Sequence, residues 1–122
     1  MRDHKSLIAW QRAHEVAAGV TRLVRSRSRW DPILSQLQRA AISVQLNIAE
    51  GYALRTIPRY RSHLTIALGS AVETLECLEL GLETGILARD EVEALLAKAN
   101  ETRALLLGLL NHLRQIASKQ KE

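Results

Sequence analysis

The stretch QLQRAAISVQLNIAEGY, residues 36–52, decides the fold of this chain. Its apolar residues recur at the three- and four-residue steps of an amphipathic helix, so we expect a helix here. Polar residues recur at the same spacing, which places them along a second line of that helix. We call these five residues the polar stripe: Gln36, Arg39, Ser43, Asn47 and Glu50.

The polar stripe needs partners, because a helix in a small bundle has little free surface. It is compatible with a buried network to the third helix, with Glu73 or Glu76 pairing with Arg39. It is equally compatible with a seam or central channel between subunits, since a buried polar residue often sets helix register. A ligand-binding surface is the third interpretation.

The stretch ALGSAVETLE, residues 67–76, supplies a second motif. Together with residues 36–52 it resembles the 23S rRNA intervening-sequence protein family. The pattern of that family is roughly Q-L-R-R-A-x-x-S-x-x-x-N-I-A-E-G, followed by F-L-x-I-A-x-G-S-x-x-E. The N-I-A-E-G motif falls on residues 47–51, and G-S-x-x-E on Gly69, Ser70 and Glu73. The stretch LIAWQRAHE near the start matches as well, so the resemblance covers nearly the whole chain. One residue departs from the pattern: His63 stands where the family usually has Phe.

The resemblance implies a four-helix bundle that forms ring-like homo-oligomers, often pentamers. It does not imply an activity, because most members of the family are uncharacterised. Some relatives look like the accessory proteins of diversity-generating retroelements, which are thought to partner a reverse transcriptase and its RNA.

Helix boundaries follow from local signals. Asp31 is a plausible N-cap with Pro32 at the first helical position, Thr56 is placed to cap the third helix, and Gly85 is a good C-terminal stop. We predict helices at about 5–26, 32–54, 57–84 and 89–117, in a single domain over residues 1–122. Short connections make successive helices antiparallel, so the predicted fold is an all-α, up-down-up-down four-helix bundle. Excess apolar residues, including Ile42, Leu46 and the run at 105–110, favour a homo-oligomer.

The composition narrows the class of protein. The only cysteine, Cys77, excludes an internal disulfide framework, and it occupies an apolar helical position typical of a buried, unreactive thiol. The N-terminus has no apolar run typical of a signal peptide, and no segment approaches the roughly 20 apolar residues of a membrane span. We therefore expect a cytoplasmic protein that makes no membrane contact.

Positive charge is concentrated in the first half of the chain. Residues 1–61 have a balance of +7 and residues 62–122 a balance of −3, within a net charge of +4. This asymmetry allows either a nucleic-acid surface or complementary contacts between subunits. Two clusters stand out as candidate nucleic-acid-binding residues: Arg22, Arg25, Arg27, Arg29 and Trp30 in the first, and Arg55, Arg59 and Arg61 in the second.

The two clusters fall at opposite ends of an antiparallel bundle, about 30 Å apart for a 20-residue helix. Trp30 is placed to stack on a base or to cover the end of the core. For the first cluster, contact with phosphate, contact with protein and a plain solvated loop all remain open. We expect nucleic acid, RNA more than DNA, as the leading partner, and a protein adaptor role as the alternative.

The sequence offers no catalytic machinery. Glu73, Glu76, Glu79 and Glu83 follow one line of the third helix, but a bundle metal site needs Glu-x-x-His pairs and the chain has none. There is also no Gly-rich phosphate loop and no nucleophile with a base. We therefore expect a non-enzymatic protein without a metal or cofactor, in which the acidic line is solvated or accepts arginines of a neighbouring molecule.

Overall fold

The computed structural model describes residues 3–120, and within those residues the regular secondary structure is entirely helical. A short 3-10 helix, His4–Ser6, precedes four α-helices. They are α1 (Ile8–Arg25), α2 (Pro32–Leu54), α3 (Ile57–Thr84) and α4 (Arg89–Gln120). None of them has a stretch long and apolar enough to span a bilayer.

The predicted helix signals act where expected at two boundaries. Asp31 caps α2, since its carboxylate accepts from Ile33 N at 2.8 Å, and Gly85 ends α3 in the left-handed region at φ 80°. At Thr56 the backbone is extended as in a cap, but the side chain makes no capping hydrogen bond. The first helix starts later than predicted because Leu7 is extended and separates α1 from the 3-10 turn, which Asp3 caps.

Each helix packs on two neighbours: α1 on α2 and α4, and α3 on α2 and α4. Contacts between side chains show which levels of neighbouring helices lie side by side. His14 of α1 contacts Gln45 of α2, whereas Arg27, which follows α1, reaches Glu91 at the start of α4. This all-helical arrangement fits the predicted up-down-up-down order.

The core divides into two apolar clusters along the bundle. One is built around Val20, Leu37, Leu78 and Val92, near the α1–α2 connection. The other contains Ile48, Leu64 and Leu106, near the α2–α3 connection.

Between the two clusters, each helix contributes two small residues to a void of about 10 Å³, which is at the lower limit of the space that one water molecule needs. The lining residues are Ala13, Val16, Ala41, Val44, Ala71, Thr74, Ala99 and Thr102. Both threonine hydroxyls donate to backbone carbonyls of their own helices, so neither donor is left unpaired there.

Candidate functional site

The upper part of the polar stripe joins α2 to α3 through two contacts. Gln36 Nε2 donates to Glu73 Oε1 at 2.5 Å, and the hydroxyls of Ser43 and Ser70 lie 2.8 Å apart. As the numbering rises along α2 it falls along α3, so these contacts align the two helices antiparallel.

The lower part of the polar stripe is centred on Asn47. Its amide Nδ2 donates to the Ser43 backbone carbonyl at 2.9 Å and lies 3.2 Å from the Ser43 hydroxyl. Its Oδ1 accepts from His63 Nδ1 at 3.0 Å, which makes Nδ1 the protonated nitrogen of that ring. The same nitrogen lies 3.6 Å from Glu50 Oε2. Four of the five stripe residues therefore contact α3 within one subunit.

Arg39 does not follow the rest of the polar stripe. Its side chain is exposed, and it makes no ion pair with any residue between 3 and 120. The expected pairing with Glu73 or Glu76 is wrong, because Gln36, about one turn earlier, takes the Glu73 carboxylate. Arg39 is left pointing to the surface beside this helix pair.

The first arginine cluster lies at the end of the bundle where α1 gives way to α2. Arg22, Arg25 and Arg29 are exposed and, among the described residues, make no side-chain ion pair. Arg27 differs, because its Nη2 donates to Glu91 Oε1 at 2.5 Å and its Nε is buried without a hydrogen-bond partner in the described chain.

Glu91 fixes this end of the bundle from the side of α4. It accepts from Ala88 N at 2.9 Å as well as from Arg27. These interactions, the backbone hydrogen bond first, hold the pKa of Glu91 below its ordinary value. The charge of Arg27 is thus neutralised and its role is to anchor the loop, so the cluster offers fewer available charges than its sequence indicates.

Trp30 follows Arg29 in the loop and does not plug the core, since 78% of its surface is exposed. A groove opens next to it, and its apolar base is formed by Leu34 and Ile86. The remaining lining residues are Arg27, Ser28, Arg29 and Asp31.

The second arginine cluster follows α2 at the other end of the bundle. Arg55 adopts the left-handed conformation at φ 60° and ends α2, while Arg59 is exposed and Arg61 is half-buried on α3. Tyr60 of the same turn packs against the apolar cluster that contains Leu113. The two arginine clusters therefore do not merge into one surface within a subunit.

The acidic line of α3 forms an open groove with Cys77 and Leu80. Burial, followed by the charges of Glu73 and Glu76, raises the pKa of the Cys77 thiol. Within residues 3–120, no three His, Cys, Asp or Glu side chains are grouped so as to hold a metal ion.

The sequence is matched over residues 5–108 by the model of the family described as 23S rRNA-intervening sequence protein. The chain belongs to this family. The resemblance inferred from N-I-A-E-G and G-S-x-x-E is thereby confirmed. The description of the family names no biochemical activity.

The 23S rRNA-intervening sequence protein fold is also recognisable in a solved structure. The crystal structure of a protein of unknown function from the S23 ribosomal protein family of Bacteroides thetaiotaomicron is similar, with a TM-score of 0.79. The match covers 84% of this chain and 98% of that one at 24% identity, and it therefore concerns the fold alone. No curated protein matches the sequence.

Two participants in the polar network were not among the candidate site residues. Ser70 belongs to the G-S-x-x-E motif, so the family pattern carried a signal for it. His63 departs from the pattern and was expected to be a hydrogen-bonded core residue without a named partner; it is half-buried, and its partner is Asn47. A helical wheel of α2 alone identifies neither residue, because both lie on α3.

Proposed function

We propose that this chain is a non-catalytic, homo-oligomeric scaffold that binds nucleic acid through the arginine clusters at the ends of its bundle. The observation that carries the proposal is the group Arg22, Arg25 and Arg29, which are exposed at the end of α1 and in the loop that follows it, where the indole of Trp30 is exposed as well. Cationic side chains without internal partners retain their charge for phosphates. RNA is the first candidate because the description of the family refers to 23S rRNA.

A non-catalytic role agrees with the chemistry of the described residues. The thiol of Cys77 is disfavoured as a nucleophile, because its raised pKa keeps it protonated. The histidine of the polar network, His63, is engaged with Asn47 through Nδ1.

Assembly is supported by the outer side of the α2–α3 pair. Leu46 is 55% exposed and Ile66 is 51% exposed, while an added Cβ at Gly69 would meet no atom within 4 Å. Exposed apolar side chains grouped on a small domain are typical of an interface. A ring would repeat the arginine clusters, and the repeated weak contacts would gain affinity through effective concentration.

The test is fluorescence anisotropy of a labelled structured RNA and of a DNA duplex across a salt series, with the subunit number measured by light scattering. Each phosphate contact contributes a slope of roughly 0.7–0.9 in the logarithm of affinity against the logarithm of salt. The variant R22Q/R25Q/R29Q is expected to bind more weakly, and its affinity should depend less steeply on salt by about two to three phosphate contacts per subunit. Tight binding that is insensitive to both salt and this variant would refute the proposal.

A matched control removes three positive charges elsewhere. Arg103, Arg114 and Lys119 are exposed on α4, so R103Q/R114Q/K119Q changes the net charge equally and leaves the α1–α2 end intact. Equal weakening by both triple variants would indicate a response to net charge without a defined site.

The alternative function is a protein-interaction adaptor, such as an accessory subunit of a reverse transcriptase. The exposed acidic line of α3, which flanks Leu80 with Glu76, Glu79 and Glu83, supports it because this surface suits a basic partner. Binding of neither RNA nor DNA at low salt, together with co-elution with a reverse transcriptase encoded nearby, would favour the adaptor.

A further inference from the structure

The two tryptophans of the chain are in opposite environments. Trp10 is half-buried, with its ring stacked on His14 at 4.9 Å and an interplanar angle of 8°, and it contacts His4 edge-on. Trp30 is 78% exposed and makes no such ring contact within the described chain. Because the indole of Trp30 is exposed, its flat face is available to a ligand. A ligand that covers this face would gain the hydrophobic free energy that the fold leaves unused.

The groove beside Trp30 combines two apolar residues with the charges of Arg27, Arg29 and Asp31, and the Asp31 carboxylate is engaged by Ile33 N as the cap of α2. Leu34 is buried and Ile86 is half-buried, so the floor is continuous with the core. Arg29 is exposed at the edge and retains its charge, whereas Arg27 is held by Glu91. That ion pair links the loop to the start of α4.

We propose that this groove binds an unpaired nucleotide, with the base stacked on Trp30 and a neighbouring phosphate beside Arg29. The inference rests on the proposed nucleic-acid function and specifies its substrate class as a single strand, with RNA as the first candidate. A base inside a duplex has both faces covered by its neighbours, so only an unpaired or terminal base has a face free for the indole. A duplex would use the arginines alone.

The chemistry of the groove distinguishes a nucleotide from a simple anion. A lone phosphate would use Arg29 but would leave the indole and the apolar floor without a contact. A base supplies a flat π face for Trp30. Because such stacking accepts any base, the groove needs no hydrogen-bonding groups that read the base.

The experiment uses tryptophan emission as a local reporter. The full-length protein is titrated with a short oligouridylate, which is unstructured, and with an RNA duplex of equal phosphate number whose two end pairs are covered by end-stacking caps, so that no base face is free. We expect the oligouridylate to quench emission in the wild type, and we expect W30F, which retains only Trp10, to show no comparable change. W30A is expected to bind the oligouridylate about tenfold more weakly while binding the duplex unchanged.

Two charge variants complete the design. R29Q is expected to reduce the salt slope for the oligouridylate by about one phosphate contact, whereas R114Q on α4 serves as the matched control and leaves it unchanged. Circular dichroism of each variant confirms that the bundle is folded.

The outcomes separate this inference from the proposed function. If the single strand and the duplex bind equally and W30A changes neither, the nucleotide groove is refuted while nucleic-acid binding stands. If neither ligand binds at low salt, both proposals fail. Quenching that persists in W30F would assign the signal to Trp10 and would also refute the groove.

Discussion

Gly51→Ala should destabilise the bundle, although alanine is the better helix former. Gly51 is buried within α2, and an added Cβ would lie 2.8 Å from His63 Cβ and 3.0 Å from Tyr60 Cδ1. Because the Cβ of His63 is fixed to the backbone of α3, it cannot rotate away. The two helices must therefore separate at this level.

The magnitude follows from two opposing contributions. Replacing an interior helical glycine by alanine stabilises a helix by about 1 kcal/mol. Overpacking of a close contact costs about 1–3 kcal/mol, and separating α2 from α3 also weakens the Asn47–His63 hydrogen bond, worth about 0.5–1.5 kcal/mol. We expect a net loss of about 0.5–3.5 kcal/mol in the free energy of unfolding.

Gly108 provides the matched control, since it lies within α4, is exposed, and would place its added Cβ in open space. Gly108→Ala should stabilise by up to about 1 kcal/mol. Both variants are measured by urea denaturation at one protein concentration, because assembly changes apparent stability. If Gly51→Ala stabilises as much as Gly108→Ala, the close approach of α2 and α3 at this level is wrong.

Four further predictions concern association, the polar network and charge. Gly69→Ala should weaken self-association by light scattering without loss of helix content, if the exposed α2–α3 face is the subunit interface; unchanged association would exclude this position from the contact. Asn47→Ala should lower the urea-derived free energy of unfolding by about 1–2 kcal/mol because it removes the partner of His63, and no loss would contradict a network that stabilises the subunit. Tyr60→Phe should raise it by about 1 kcal/mol, since the hydroxyl is buried without a partner in the described chain; a decrease would show that this hydroxyl is hydrogen-bonded. In the folded protein the pKa of Glu91 lies below its ordinary value of 4.5, so the stability that its carboxylate contributes is present above pH 4.5 and is lost as the pH falls through the folded pKa. The difference in the free energy of unfolding between the wild type and Glu91→Gln should therefore narrow in acid. A difference that stays constant with pH would exclude the carboxylate charge as the cause of the stabilisation.

The sequence was most informative where the cause is local. Asp31 and Gly85 mark helix ends because capping and the left-handed conformation depend on a few neighbouring residues. The break at Leu7 was missed, since the apolar spacing runs through it and the 3-10 turn depends on the Asp3 cap. The helical fold was predictable because apolar periodicity on four long segments determines it.

The sequence was least informative where partners are distant along the chain. Helical spacing identified the polar stripe but could not assign Glu73 to Gln36 in preference to Arg39, because that depends on the level at which the helices cross. The ion pair between Arg27 and Glu91, which is 64 positions away, could not be predicted from the sequence for the same reason.

Only one arginine of the first cluster is paired within the described chain, so the effect of the others on nucleic-acid binding can be measured separately from their effect on the free energy of unfolding. Arg27 bonds to Glu91 and anchors the loop, so its removal should disturb both the loop and any binding. Arg22, Arg25 and Arg29 are exposed and have no ion pair in the described chain, so their loss should change surface charge while leaving the free energy of unfolding within about 0.5 kcal/mol of the wild type. If the triple variant binds more weakly at unchanged stability, the arginines act on the ligand directly. If the triple variant is less stable as well as weaker in binding, these side chains support the fold, and the α1–α2 end is refuted as the binding surface.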